Sequence, residues 1–256
     1  MKMLENRYKD MEAMALIHEG ALGLDSRLKK VVDKIQDRKL RRKIVQFVEN
    51  PTFEIEGKTY EGVPLETSPA GLSHHHNYPG GYIEHVTAAA EIALTLCDVV
   101  EKIYHSKVNR DLVLAGVLLH DVLKPVTYME KENGTLRKSP LAERLDHLTL
   151  IVSEMVRRGF PLHLVHIVCA HHGYRYGPIG PRTAEALVCH LADITDSKLN
   201  GEVLRAAQYL AREATGKELR QITGQEAFQI VHAKTMKGWD GVKKTLEKTR
   251  RKRHSN

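Results

Sequence analysis

The sequence predicts an all-α domain with one or two short β-hairpins. Apolar residues recur at helical spacing through most of the chain, as at Val86, Ala90 and Ala93. This spacing is interrupted around Glu56-Gly57 and Asn133-Gly134, and Asn-Gly is a strong signal of a tight hairpin turn. Apolar residues make up 42% of the 256 residues, which is enough for a sizeable core. We therefore expect one compact domain overall.

Two helices and a hairpin are predicted at the start of the chain. Residues 3–19 place apolar side chains at helical spacing. A cap at Asp25 or Ser26 begins a second helix, which continues to Asn50-Pro51, because proline cannot continue the helical hydrogen bonding. Residues 53–60 then form the first hairpin.

A long loop follows at residues 61–82. It is rich in Gly, Pro and Ser, it shows no periodicity, and it contains three consecutive histidines at positions 74 to 76. Loops of this length inside a compact domain are often functional. We expect the segment from His74 to Tyr78 to line the entrance to a site.

Further helices are predicted through the middle of the chain, with a second hairpin over 127–138. They run over 82–104, from 110 to His120-Asp121, from Ser139-Pro140 to Gly159, from Pro161 to His172, and over 183–199. The helix that begins near residue 110 is apolar almost all round and should be central. Residues 201–256 are also helical by pattern. We divide the chain into 1–64 (N-terminal helices and hairpin), 65–200 (the histidine-rich core) and 201–256 (C-terminal helices with a basic tail).

Composition limits the class of protein. No apolar segment is long enough to span a bilayer, and the first ten residues are charged rather than signal-like. Cys97, Cys169 and Cys189 lie in apolar surroundings, which favours reduced thiols in a cytoplasmic protein. The formal charge of +7 suits an anionic partner such as a nucleotide or nucleic acid. Much of that charge lies in the tail, where a solvated basic helix is the alternative.

Histidine and aspartate recur on five successive predicted helices, and together they form a candidate metal site. The residues are His85, His120, Asp121, His147, His171, His172 and Asp193. Imidazole and carboxylate ligands suit Zn, Mn, Fe, Co or Ni rather than an ion bound by oxygen alone. A helical bundle can house two ions between inward side chains of different helices.

Each of these residues has a structural alternative when it is considered alone. His147 on an amphipathic helix could be a hydrogen-bonded core histidine, and His190 could support a ligand without binding metal. Adjacent residues in a helix point about 100° apart. His120 and Asp121 can therefore serve the same centre only at a helix end, or if the carboxylate of Asp121 bridges two ions.

The order of these residues resembles the HD superfamily of metal-dependent phosphohydrolases. Over about residues 65–200 the sequence is most similar to the HD domain of YhaM-type 3′–5′ exoribonucleases. The segments that carry this resemblance are Ser68-Pro69-Ala70, 75–78, 80–85, 118–124, His171-His172-Gly173 and 190–193 with Asp196 and Lys198. Tyr174 stands where the exonucleases usually have an acidic residue, and Leu123 replaces the family's Gly. No N-terminal nucleic-acid domain of the OB type is visible.

The resemblance implies a metal-dependent phosphohydrolase with a helical HD bundle, which hydrolyses a phosphoester of a nucleotide or nucleic acid with metal-activated water. The metals implied are two divalent ions of Mn, Fe, Ni, Co or Zn, with Mg also compatible. One ion would be bound by His85, His120, Asp121 and Asp193, and the other by Asp121, His147, His171 and His172. The substrate-binding residues it implies are His76 and Lys198, and Arg175 in the loop after His172 could supply a further contact to an anionic substrate.

Asp121 and Lys124 are the expected catalytic residues. Lys124 follows Asp121 by three residues, so it lies on a similar helical face and could contact a phosphate oxygen. The alternative is that Lys124 only caps the C-terminus of its helix, where a cation is favoured by the helix dipole.

Two other functions remain open on the sequence. Folds of the HD type with the same ligands also hold di-iron centres that oxidise small molecules, although the basic charge and Lys124 favour a phosphate substrate. A non-catalytic module that binds nucleotide or RNA is the second alternative, and the complete set of ligands disfavours it. Assembly into a homo-oligomer is also compatible with the sequence.

Overall fold

The computed structural model describes residues 23–219 and 221–254, and the predicted all-α fold with two hairpins is confirmed. The predicted helix over 3–19 lies outside the described residues. The α-helices are α1 (Ser26–Val32), α2 (Arg38–Glu49), α3 (Gly81–Lys102), α4 (Arg110–Leu119), α5 (His147–Arg157), α6 (Leu162–Cys169), α7 (Gly173–Tyr176), α8 (Ala184–Thr215) and α9 (Gly224–His254). The strands are β1 (Phe53–Ile55), β2 (Lys58–Tyr60), β3 (Tyr128–Glu130) and β4 (Leu136–Lys138).

Both hairpins are antiparallel pairs, with β1 against β2 and β3 against β4. In the first, Glu56 and Gly57 have φ values of 51° and 70°. Positive φ at both central residues is what a type I′ hairpin turn requires. In the second, Gly134 has a φ of 74° at the predicted Asn-Gly position.

The helix predicted from Asp25 to Asn50 is two helices, so this prediction was wrong. The carboxylate of Asp111 accepts the backbone N–H groups of Gln36 and Asp37, at 2.9 and 2.8 Å, and holds the chain in a break. The side chain of Asp37 then caps α2 by accepting from the backbone N–H of Lys39 at 2.8 Å. The apolar stripe concealed the break because α1 and α2 pack on the same core.

The helix that carries His147 begins later than predicted. Residues 140–145 form turns instead of the first helical turns after Ser139-Pro140. Asp146 is the N-cap, and its carboxylate accepts from the backbone N–H of Thr149 at 2.7 Å. His147 is therefore the first residue of α5, at the N-terminal end of the helix.

The described core has two apolar clusters. The larger one extends from Leu28 to Ala192 and packs α1 and α2 against α3, α4, α5, α6 and the first half of α8. The smaller one joins Tyr78 to the second half of α8 and to α9, which breaks at Gly238 with a φ of 60°. Helix α8 runs without interruption through residue 200, and the division of the chain at 64 and 200 stays a prediction.

Two further expectations concern the thiols, expected to be reduced, and the absence of a segment that spans a membrane. Cys97, Cys169 and Cys189 form no disulfide, and the first and third are buried. Burial raises the pKa of the Cys97 thiol to about 11. None of the helices in the described part of the chain is both long enough and apolar enough to cross a membrane.

Candidate metal centre

The structure brings all seven predicted metal-binding residues together from five parts of the bundle. His85 lies near the start of α3, and His120 and Asp121 follow α4 directly. His147 begins α5, His171 and His172 follow α6, and Asp193 lies in the third turn of α8. The floor of the centre is formed by residues that are at most 2% exposed: His85, His120, Asp121 and His171. The remaining three residues are partly exposed and form its rim.

The first cluster consists of His85, His120, Asp121 and Asp193. Nε2 of His85 lies 3.2 Å from Nε2 of His120 and 3.4 Å from Oδ1 of Asp193. Oδ2 of Asp121 lies 3.5 Å from Nε2 of His120 and 3.8 Å from Nε2 of His85. Two imidazole nitrogens and two carboxylate oxygens thus face one point, and this donor set suits a divalent transition metal.

Hydrogen bonds fix which nitrogen of each buried imidazole carries the hydrogen. Nδ1 of His120 and Nδ1 of His171 each lie close to the backbone carbonyl three residues earlier, at 2.7 and 2.6 Å. Nδ1 of His85 lies 2.7 Å from Oδ2 of Asp196. Carbonyl and carboxylate oxygens only accept, so each Nδ1 donates, and Nε2 of each neutral ring presents a lone pair. Two lone pairs at 3.2 Å would repel, so a cation must lie between Nε2 of His85 and Nε2 of His120: a proton on His85 in the metal-free protein, or a metal ion in its place.

The second cluster consists of Asp121, His147, His171 and His172. Oδ1 of Asp121 lies 3.3 Å from Nε2 of His147 and 3.8 Å from Nε2 of His171. All three atoms are buried and have no hydrogen-bond partner. The ring of His172 lies 4.0 Å from the ring of His171, measured between centroids. Because a buried polar atom without a partner costs about 1–3 kcal/mol, three such atoms facing each other fit a bound cation.

Charge at the centre is organised by Asp121 and Lys124. Nζ of Lys124 lies 2.6 Å from Oδ2 of Asp121. Burial alone would raise the pKa of Asp121, but Lys124 and the neighbouring histidines outweigh it and hold this pKa well below its usual value. Burial likewise opposes protonation of His85, but the carboxylates of Asp193 and Asp196 outweigh it and raise its pKa to about 9.

The histidines of the second cluster are neutral near pH 7. Burial is the main cause that lowers the pKa of His147 to about 3 and the pKa values of His171 and His172 to about 4. Neutral imidazole is the form that binds metal. The second cluster is therefore already in the protonation state that a metal ion needs.

The three predicted substrate-binding residues lie in different places. His76 is 1% exposed and lies behind the first cluster, with Nε2 at 3.7 Å from Oδ2 of Asp196. Arg175 is exposed, and its guanidinium lies 5.2 Å from the ring centre of Tyr176. Lys198 is exposed too, and it follows Asp193 by five residues, a rotation of about 140° around α8. The structure thus joins only His76 to the centre, and contact of the three with substrate stays a prediction.

His190 supports the loop that carries His171. Its Nδ1 lies 2.5 Å from the backbone carbonyl of His171, and its ring packs on Gly173. A Cβ atom at Gly173 would lie 2.5 Å from this ring, and the φ of 66° there is one that favours glycine. The motif His171-His172-Gly173 therefore needs its glycine for this turn and for contact with His190.

Sequence reasoning gave Asp196 no role, and it expected His75 only as part of a segment that lines the entrance to the site. Asp196 orients His85, and its signal was its position three residues after Asp193 on the same helix. His75 lies with its ring centre 5.1 Å from that of His85. Its signals were membership of the histidine run and of the segment 75–78 that carries the family resemblance, and neither shows which of the three rings faces the site.

Comparison with known proteins identifies the family of this chain. A family model of the HD domain matches residues 82–198. The dihydroneopterin 2′,3′-cyclic phosphate phosphodiesterase of Methanocaldococcus jannaschii is 38% identical over 224 residues, which are 86% of this chain and 87% of that protein. The chain belongs to the HD domain family. The predicted resemblance and the predicted enzyme class are confirmed, and this HD-domain protein is a metal-dependent phosphohydrolase.

Other relatives of the HD-domain protein are 3′–5′ exoribonucleases named YhaM. Those of Oceanobacillus iheyensis and Bacillus subtilis are each 29% identical to it, over 185 and 144 residues. The matches cover 54% and 43% of the two exoribonucleases, so the HD-domain protein spans about half of their length. No solved structure matches the chain.

Proposed function

We propose that this protein is a two-metal phosphodiesterase that opens a 2′,3′-cyclic phosphate on a small heterocyclic substrate. The proposal of two metal ions rests on one observation: the two oxygens of the Asp121 carboxylate face different clusters. Its Oδ2 faces His85 and His120, whereas its Oδ1 faces His147 and His171. A carboxylate with each oxygen directed at a separate set of imidazoles is arranged to bridge two ions.

Each cluster would have a separate role in the reaction. The first cluster would bind one divalent ion and the second cluster the other, with Asp121 common to both. Bound there, the ions supply a water of lowered pKa and positive charge for the phosphoryl oxygens. Asp196 keeps Nε2 of His85 available by accepting the hydrogen of its Nδ1.

Lys124 contributes a fixed positive charge at the rim. Its side chain is 17% exposed and is held by Asp121, so its ammonium can contact a phosphoryl oxygen without a large rearrangement. Burial opposes the charge on Lys124, but the Asp121 carboxylate outweighs it and raises the pKa of the ammonium. Lys124 therefore stays cationic near pH 7 and can stabilise the charge that develops on the phosphate.

The relatives support a cyclic phosphate over RNA as the substrate. The Methanocaldococcus protein, which is named for a cyclic phosphate, matches this chain along nearly all of both lengths. The exoribonucleases match only about half of their own length. Single-stranded RNA remains the second candidate, because the last helix is rich in basic residues: Lys243, Lys244, Lys248, Arg250 and Arg251.

Hydrolysis assays with defined metals test the proposal. Protein purified without chelators would be stripped and reloaded with Mn, Fe, Co, Ni, Zn or Mg. The substrates would be dihydroneopterin 2′,3′-cyclic phosphate, 2′,3′-cyclic AMP, bis(p-nitrophenyl) phosphate and single-stranded RNA. We expect metal-dependent opening of a cyclic phosphate with two ions per chain. Stoichiometric iron with oxygen consumption and no phosphoester hydrolysis would instead support a di-iron centre that oxidises a small molecule.

A further inference from the structure

His75 and Lys124 lie at the rim of the centre and belong to neither cluster. Among the described residues, the partly exposed charged or histidine side chains around the centre include His75, Lys124, His190, His147, His172 and Asp193. The last three belong to the first or second cluster, and His190 is bonded to the backbone carbonyl of His171. His75 and Lys124 therefore remain to meet a substrate that approaches from solvent. The ring centre of His75 lies 5.1 Å from that of His85, so His75 lies beside the first cluster.

His75 does not complete a third metal site. His75, His76 and His85 are close enough for that, because one nitrogen of each lies within 4.8 Å of the others. However, Nδ1 of His85 is bonded to Asp196, and its Nε2 faces His120 in the first cluster. An imidazole has only two nitrogens, so His85 has none left for a further ion.

Neighbouring groups determine which nitrogen of His75 is free. Nε2 of the buried His76 faces Oδ2 of Asp196 at 3.7 Å, and a carboxylate favours hydrogen on the nitrogen that faces it. Nδ1 of His76 then accepts, and Nδ1 of His75, at 3.1 Å, donates to it. This leaves Nε2 of His75 with a lone pair, which can accept a hydrogen bond from water or a hydroxyl group.

The turn that presents His75 is strained and is held by Asn200. His76 has a φ of 45°, in a region that residues other than glycine rarely adopt. Its backbone N–H donates to Oδ1 of the buried Asn200 at 2.7 Å, and Nδ2 of Asn200 donates to the hydroxyl of Tyr78 at 3.1 Å. Asn200 follows Asp196 by four residues, so one face of α8 holds both His85 and the histidine loop. Strain that the surroundings maintain in this way is typical of functional sites.

We propose that His75 is a further catalytic residue, whose Nε2 accepts a hydrogen bond from the water that attacks phosphorus, and that Asn200 is a positioning residue acting through His75. This inference rests on the proposed phosphodiesterase. In the reaction the water oxygen bonds to phosphorus, and the bond from phosphorus to one ring oxygen breaks. That oxygen leaves as a hydroxyl with one proton of the water, and the other proton stays on the phosphate monoester. His75 orients the water and is unchanged at the end.

Replacement of His75 tests the catalytic part. We expect His75→Ala to lower kcat about 10²-fold, the cost of a misplaced reacting group, without a change in KM or in bound metal. His75→Gln places an amide oxygen near the position of Nε2 and should recover part of the loss. His163→Ala, at an exposed site on α6, is the matched control and should behave as the wild type. Unchanged kcat in His75→Ala, or loss of one metal ion per chain, would overturn the assignment.

A double-mutant cycle tests the positioning part. Asn200→Ala should lower kcat in the wild type but have little further effect in a His75→Ala background, because the two residues act through one contact. Equal losses in both backgrounds would overturn the role of Asn200. Should Asn200→Ala fail to fold, Asn200→Asp keeps the oxygen that accepts from His76 and should retain kcat. If the wild type opens no cyclic phosphate, the proposed function itself fails, which is a different result from a wild type that is active and insensitive to His75.

Discussion

Oδ1 of Asp121 lies 3.3 Å from Nε2 of His147, and neither atom has a hydrogen-bond partner although both are buried. The second oxygen of Asp121 is bonded to Lys124 and faces the first cluster. The carboxylate thus has one satisfied and one unsatisfied side. That asymmetry is costly in a protein interior unless a cation compensates it.

Replacement of His147 should remove one of two metal ions. His147→Ala takes one imidazole from the second cluster and leaves the first cluster intact, so metal analysis should fall from two ions per chain to one. We expect kcat to fall about 10²-fold or more, because charge stabilisation at the phosphate is lost. The exposed His163→Ala is the control. Two ions in the variant would show that His147 is not a ligand.

Replacement of Asp196 should weaken metal binding without removing a ligand. Asp196→Asn keeps an oxygen that can accept from Nδ1 of His85 but removes the negative charge. Loss of such an outer partner typically weakens metal affinity 10- to 100-fold. A metal titration should show this loss, and saturating metal should restore kcat. A variant that binds metal as tightly as the wild type would contradict the role given to Asp196.

Replacement of Lys124 distinguishes a catalytic role of this residue from a structural one. Lys124→Met keeps most of the aliphatic stem and removes the charge. If the ammonium contacts the phosphate, kcat/KM of the metal-loaded protein should fall about 10²- to 10³-fold, and the melting temperature should change little because the bound ions compensate the charge of Asp121. If Lys124 only caps α4, activity should persist and the melting temperature should fall. Measuring both quantities on one preparation distinguishes the two outcomes.

The stability of the metal-free protein should pass through a maximum near pH 6.5. His147, His171 and His172 have folded pKa values of about 3 to 4, below the ordinary value of 6.5, so the unfolded chain binds more protons between those limits. Their contribution is therefore lost as pH falls below 6.5. His85 has a raised pKa of about 9, so its contribution is present below 6.5 and is lost as pH rises towards 9.

Urea unfolding of the metal-free protein across this pH range checks the expectation. The free energy of unfolding should fall on both sides of the maximum. In His147→Ala the acid side should be shallower, because one group with a lowered pKa is gone. A profile that rises steadily from pH 6.5 to 9 would contradict the raised pKa of His85.

The order of the site residues could be predicted from sequence because each signal is local. Helical spacing, caps and turn residues indicated where helices lie. His85, His120, His147 and His171 followed at or near their ends, and Asp193 followed within a later helix. The break between α1 and α2 was not predicted because Asp111, which holds it, is distant in sequence. The start of α5 at His147 was not predicted, because both Ser139 and Asp146 are suitable N-cap residues and sequence alone does not show which of them is used.

The sequence by itself determined the helical class, the two hairpins and the set of imidazoles and carboxylates. Only the tertiary structure decided that Oδ1 and Oδ2 of Asp121 face different clusters, that His75 lies at the rim with His76 behind it, and that Lys198 leaves α8 on another face. The reason is physical. Periodicity sets the face of each helix to which a side chain belongs, but packing between helices sets which atoms of different helices meet.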